Sequence, residues 1–162
     1  MPIRVRLSEI VDGMEMQSDE MTAYLHRPTG RILVVSDDAC RAAEDDDDEW
    51  VEPEELADAR GVLAGAGEYL ALPDRMEIDE FRMMERFAAG IEDAVVRDAA
   101  RGALHGSGAF RRFKDTMNEH GVAPAWYDYR GRAYQEVART WCELNGLEHD
   151  SAHADGLTNR CC

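Results

Sequence analysis

The stretch Met21 to Ser36 most constrains the fold. Two apolar-rich segments, Met21 to His26 and Arg31 to Ser36, flank Arg27-Pro28-Thr29-Gly30. Pro28 presets φ and Gly30 tolerates φ > 0, so these four residues read as a turn between antiparallel strands. Ile32-Leu33-Val34-Val35 is nearly continuous in apolar residues rather than alternating, which predicts a strand covered on both faces. Glu68 to Pro73 is a candidate third short strand, ended by Pro73.

The rest of the chain carries helical spacing. Leu7, Ile10, Val11 and Met14 share one face of a short helix, with Ser8 as the expected N-cap. Gly13 weakens that helix by about 1 kcal/mol relative to Ala. Pro53 suits the first turn of a helix running to about Ala64, with Gly61, Gly65 and Gly67 blurring its end. Asp79 should cap a helix bearing Phe81, Met84, Phe87, Ala88 and Ile91. A further helix follows from about Asp93 to Leu104, with Val95, Val96, Ala99 and Ala103 as its apolar positions. Gly106-Ser107-Gly108 breaks the chain, and Phe110, Phe113 and Met117 then form one stripe as expected core anchors. Pro124 opens a last helix whose inner side is Trp126, Tyr127, Arg130, Tyr134, Val137, Ala138 and Trp141, ended by Gly146 as a C′ residue. The expected class is α+β and mostly helical. An N-terminal β-hairpin packs against a helical C-terminal half, in a single domain over 1–147 with a flexible tail over 148–162.

Charge is distributed unevenly over the 162 residues. The net is −16, and residues 37–58 alone hold 12 acids and one base, Arg41. Like charges at the density of Glu44 to Glu49 repel, so 37–52 reads as a mobile acidic loop. Leu104 to Arg139 has the opposite balance, six bases to four acids. The overall acidity disfavours direct nucleic-acid binding. No apolar run approaches the roughly 20 residues of a membrane span. With no apolar signal-peptide core at the N-terminus, the expected location is cytoplasmic. The four cysteines, Cys40, Cys142, Cys161 and Cys162, show neither CxxC nor regular spacing, so no zinc site or disulfide framework is expected.

Gly106-Ser107-Gly108-Ala109-Phe110-Arg111-Arg112-Phe113-Lys114-Asp115 resembles the hallmark of a bacterial group, uncharacterised protein family 0158. Leu7-Ser8-Glu9-Ile10-Val11, Tyr24-Leu25 with Thr29-Gly30, Leu72-Pro73, Met84-Glu85-Arg86-Phe87, Trp126-Tyr127 and Trp141-Cys142-Glu143 agree with it in order. The resemblance spans about Val5 to Leu147. It implies a shared fold and carries no assigned reaction; the Asp-rich insertion and the His/Cys tail depart from it.

The sharpest candidate site is the same motif. Gly106 and Gly108 let backbone N–H groups approach an anion at a helix start. Arg111, Arg112 and Lys114 supply charge, Arg in bidentate geometry. Arg130 joins them if the last two helices are neighbours. The competing reading is scaffold, with the arginines paired to acids on adjacent helices. His149 and His153 have metal-ligand spacing only if their segment is helical. No GxSxG, HExxH or His/Cys nucleophile pattern is present, so the catalytic residues are unknown and no cofactor or metal is expected. The expected function is a non-catalytic protein-interaction or regulatory module. The alternative is a binder of, or enzyme acting on, a phosphate- or carboxylate-bearing small molecule.

Overall fold

The computed structural model describes residues 3–45, 50–65 and 67–150. It divides the chain into two units, residues 1–74 with 137–162, and residues 75–136. The class is α+β, mostly helical.

The first unit is built on the hairpin. In chain order it holds β1 (Arg4–Val5), α1 (Leu7–Met16), β2 (Met21–His26), β3 (Arg31–Ser36), α2 (Asp37–Asp45), α3 (Pro53–Ala64) and β4 (Tyr69–Ala71). β2 lies between β3 and β4 and is antiparallel to both, with Tyr24 opposite Leu33 and Ala71. The third strand is therefore real. Gly30 takes φ 72°, and its N–H closes the turn onto the His26 carbonyl at 2.8 Å.

β3 is covered on both faces, and the pleat decides what covers each. Leu33 and Val35 are buried against Ala39 of α2 and Ala59 of α3. Ile32 points the other way, toward α1, where Gly13 is the closest point of approach. A Cβ on Gly13 would stand 2.7 Å from Leu72 Cδ2 and 3.0 Å from Ile32 Cγ2. The glycine that weakens α1 locally is what lets α1 sit down on the sheet.

Three expectations fail in this unit. Residues 37–45 are not a loop but α2. Ser36 Oγ accepts the Ala39 N–H at 3.1 Å, and Asp37 and Asp38 occupy the favourable positive end of the helix. Ala39 and Ala42 give the acidic segment a buried face. Residues 46–49 of the acidic run lie outside the described residues. Ser8 does not cap α1; the helix starts at Leu7, and Asp150 Oδ1 accepts the Leu7 N–H at 2.9 Å. Residues 148–150 are not loose either. β5 (Glu148–His149) pairs parallel with β1, Arg4 opposite Glu148. Cys161, Cys162 and His153 lie outside the described residues.

The second unit contains α4 (Arg75–Ile78), α5 (Glu80–Ala89), α6 (Ala94–Ala103) and α7 (Ala109–Glu119). Residues 123–136 of α8 (Ala123–Leu144) also belong to it, and residues 137–144 to the first unit. Asp79 caps α5 by accepting the Arg82 N–H at 3.2 Å, from a left-handed φ of 52°. Asp93 caps α6 through the Val95 and Val96 N–H groups. Val95 faces outward, 72% exposed, while Ala103 is buried as expected together with Ala100, and Val96 and Ala99 are half-buried, so Val95 is the member of the predicted stripe that lies off the buried face. Both long C-termini close as Schellman motifs. Val122 donates to the Met117 carbonyl past Gly121, and Leu147 to the Cys142 carbonyl past Gly146.

Trp126 of α8 is fully buried against Phe113 of α7 and Phe87 of α5, with ring centroids 5.1 and 5.5 Å apart. Phe113 and Met117 are core residues, as expected, but Phe110 is 45% exposed. Phe110 stands in the first turn of α7, where its ring pairs with that of Phe81 at 6.3 Å between centroids. Phe113→Ala should therefore cost about 3–5 kcal/mol, and Phe110→Ala about 1 kcal/mol. Equal losses in urea melts would return Phe110 to the core.

Cys142 is fully buried on α8, and burial, aided by Glu143 and Asp150, pushes its thiol up to about 11 from an ordinary 9.0. The fold then keeps a proton that the unfolded chain releases. This contribution to stability is intact below pH 9, falls as pH rises toward 11 and levels off beyond. At about 1.4 kcal/mol per pKa unit, the loss is on the order of 2 kcal/mol. The stability difference between wild type and Cys142→Ala should shrink by that amount between pH 8 and pH 11. A difference independent of pH would rule this out.

Candidate anion-binding cleft

The predicted site residues take different partners. Gly106 and Gly108 are left-handed, φ 79° and 75°, and Gly108 is the N-cap of α7. Arg112 folds back over this loop. Its Nη1 donates to the Ser107 carbonyl at 2.6 Å and its Nη2 to the His105 carbonyl. Its partners are backbone carbonyls, neither a ligand nor the acidic side chains of the scaffold reading. Arg111 and Lys114 are exposed on α7 and form no side-chain hydrogen bond or ion pair among the described residues.

Arg130 is engaged elsewhere. Its Nε donates to Glu80 Oε1 at 2.7 Å, its guanidinium carbon lies 4.2 Å from the Tyr134 ring centre, and Nη2 donates to Tyr134 Oη at 3.1 Å. Tyr134 Oη in turn donates to Glu80 Oε2 at 3.1 Å. Glu80 and Arg130 are about one-fifth exposed, so this is a part-buried scaffold network tying α8 to α5. Arg132 pairs with Asp128 one turn earlier, at 2.7 Å. Both arginines of α8 are thus paired to carboxylates, Arg130 to Glu80 and Arg132 to Asp128.

A different cleft is present in the same unit, about 960 Å³ in volume. Arg82, Glu85, Arg86 and Ala89 line it from α5, Arg101 from the last turn of α6, and Leu104 and His105 from the loop that follows. Phe81 and Asp79 complete the wall. Arg82, Arg86 and Arg101 form no side-chain hydrogen bond or ion pair among the described residues. In a chain with 34 carboxylates that is unusual company: three guanidinium groups around one concavity, against two carboxylates. Asp79 already spends one carboxylate oxygen on the α5 cap.

Sequence reasoning missed this site for a definable reason. Arg82, Glu85, Arg86 and Ala89 follow i, i+3, i+4, i+7 spacing, the signature of one helix face, but a charged face reads as solvated surface. Arg101 and His105 join them only because α6 packs beside α5. His149 is in β5 rather than a helix, with Nδ1 3.0 Å from the Asp150 carbonyl and Nε2 3.7 Å from Glu143. Among the described residues no group of three or more His, Cys, Asp or Glu side chains is arranged for a metal ion.

The fold and the cleft define a mostly helical α+β protein with an arginine-rimmed concavity. The chain belongs to the Uncharacterised protein family (UPF0158), whose model matches residues 1–157. No curated protein and no solved structure matches it. Among the described residues no helix is long and apolar enough to cross a membrane.

The two roles of arginine here separate by mutation. Glu80→Gln weakens a part-buried charge-assisted network and should cost about 1–3 kcal/mol. Arg111→Gln should stay within about 0.5 kcal/mol, as for other unpaired surface charges. A loss at Arg111 as large as that at Glu80 would restore Arg111 to the scaffold.

Proposed function

We propose that this protein is a non-catalytic binding module that takes an anionic, phosphate- or carboxylate-bearing small molecule in the Arg82–Arg86–Arg101 cleft. The observation that carries this reading is the set of three guanidinium groups around one concavity that form no side-chain hydrogen bond or ion pair among the described residues. Guanidinium matches the planar geometry of carboxylate and phosphate oxygens, and Phe81, Ala89 and Leu104 add apolar wall beside the three groups. The absence of any recognisable catalytic motif in the sequence favours binding over turnover.

A protein partner is the second reading, favoured by the exposed apolar side chains Met76 (88%) and Val95 (72%). We read the chain as a cytoplasmic bacterial protein, a reading supported by the resemblance of the Gly106-to-Asp115 motif to a bacterial group and by the free thiols of Cys40 and Cys142 among the described residues.

The test is titration of the full chain with inorganic phosphate, pyrophosphate and citrate at matched ionic strength. At 100 times its dissociation constant, a ligand of the folded state adds about 2.7 kcal/mol of stability, a clear rise in melting temperature. Arg82→Gln with Arg101→Gln should weaken binding at least tenfold. No saturable shift with any of the three anions, or a shift untouched by the double substitution, sinks the proposal.

A further inference from the structure

The cleft has one wall that no helix supplies. Leu104 and His105 line it, yet they belong to the turn between α6 and α7, which continues through Gly106, Ser107 and Gly108. Two left-handed glycines make that turn permissive rather than rigid. A side chain of α7 reaches back and holds it from outside. The Arg112 guanidinium, one turn into α7, donates to the carbonyls of His105 and Ser107. A Cβ on Gly106 would stand 3.9 Å from this guanidinium, and one on Gly108 3.5 Å, so the loop passes close around it.

We infer that Arg112 is a positioning residue for the anion cleft: by clamping the His105 and Ser107 carbonyls it fixes the Leu104–His105 wall, without itself touching the ligand. The inference rests on the cleft reading above. It also gives the Gly106-to-Lys114 motif a division of labour. The glycines let the loop close around a guanidinium, Arg112 supplies that guanidinium, and Phe113 anchors the helix that carries it. Arginine suits the task because one rigid fork reaches two carbonyls at once, whereas an ammonium is a point donor on a flexible stem.

The test compares Arg112→Gln, Arg112→Lys and Arg111→Gln in the full chain. Amide hydrogen exchange over 104–108 should quicken in Arg112→Gln, stay slow in Arg111→Gln, and be partly restored in Arg112→Lys. In phosphate and pyrophosphate titrations, Arg112→Gln should weaken binding on the order of tenfold, because a site loosened by even about half an ångström loses its geometry. Arg111→Gln removes the same charge from the neighbouring position and should bind as wild type does. Equal weakening by Arg111→Gln and Arg112→Gln, with Arg112→Lys unchanged from wild type, would assign the effect to net charge and overturn the inference. Unchanged exchange over 104–108 in Arg112→Gln overturns it whether or not phosphate binds. If wild type binds neither anion, the cleft reading falls, and exchange still decides whether Arg112 holds the loop.

Discussion

The second unit depends on the burial of Trp126. Its ring is enclosed by Phe87, Phe113 and Tyr129, at centroid distances of 5.5, 5.1 and 6.3 Å. Each such aromatic pair contributes about 0.5–1.5 kcal/mol beyond the area it buries. Against this stands the indole N–H, which is buried and has no hydrogen-bond partner among the described residues. An unpaired buried donor costs about 1–3 kcal/mol, so the ring contacts outweigh it only as a set. The set matters because its members come from α5, α7 and α8. Fixing α5 against α7 places Arg82 and Arg86 opposite the turn that leads into α7, and the cleft follows from that placement.

In the first unit the corresponding constraint is close approach at glycine. Gly13 admits the sheet to α1, as a side chain there would meet Leu72 and Ile32. Gly61 and Gly65 do the same for α3. Cβ atoms at those positions would stand 2.6 and 2.7 Å from the Tyr69 ring system, which also lies 4.6 Å from the His26 ring. Local propensity counts each of these glycines as a defect. Packing makes them the points where one element can reach another, and the two scales disagree because propensity ignores the neighbour.

Much of the fold was legible from local chemistry. The hairpin with its turn at Pro28 and Gly30, the Asp79 cap, the helix from Pro53 to Ala64 and the Gly146 stop all stand where their side chains or φ preferences put them. The acidic segment was misread because charge density was weighed above the Ser36 cap and the alanines at 39 and 42, which a short helix can bury. The candidate site was legible only in part. The Gly106-to-Lys114 motif stood out in the sequence, but its arginines were assigned by residue type, and type does not say whether a guanidinium meets a ligand, a carboxylate or a carbonyl.

The sequence by itself determined what depends on a few consecutive residues: strand or helix, cap or stop, and the order of elements along the chain. These follow from steric preference and from hydrogen bonds that close within a turn or two. The tertiary structure decided every pairing across distance. It brought Asp150 to the Leu7 N–H, 143 residues away, Glu80 to Arg130, 50 away, and Arg101 to the α5 face that holds Arg82 and Arg86. A side chain's partner is set by which surfaces pack together. With 34 acids and 18 bases in the chain, the number of possible partners is too large for spacing alone to choose among them.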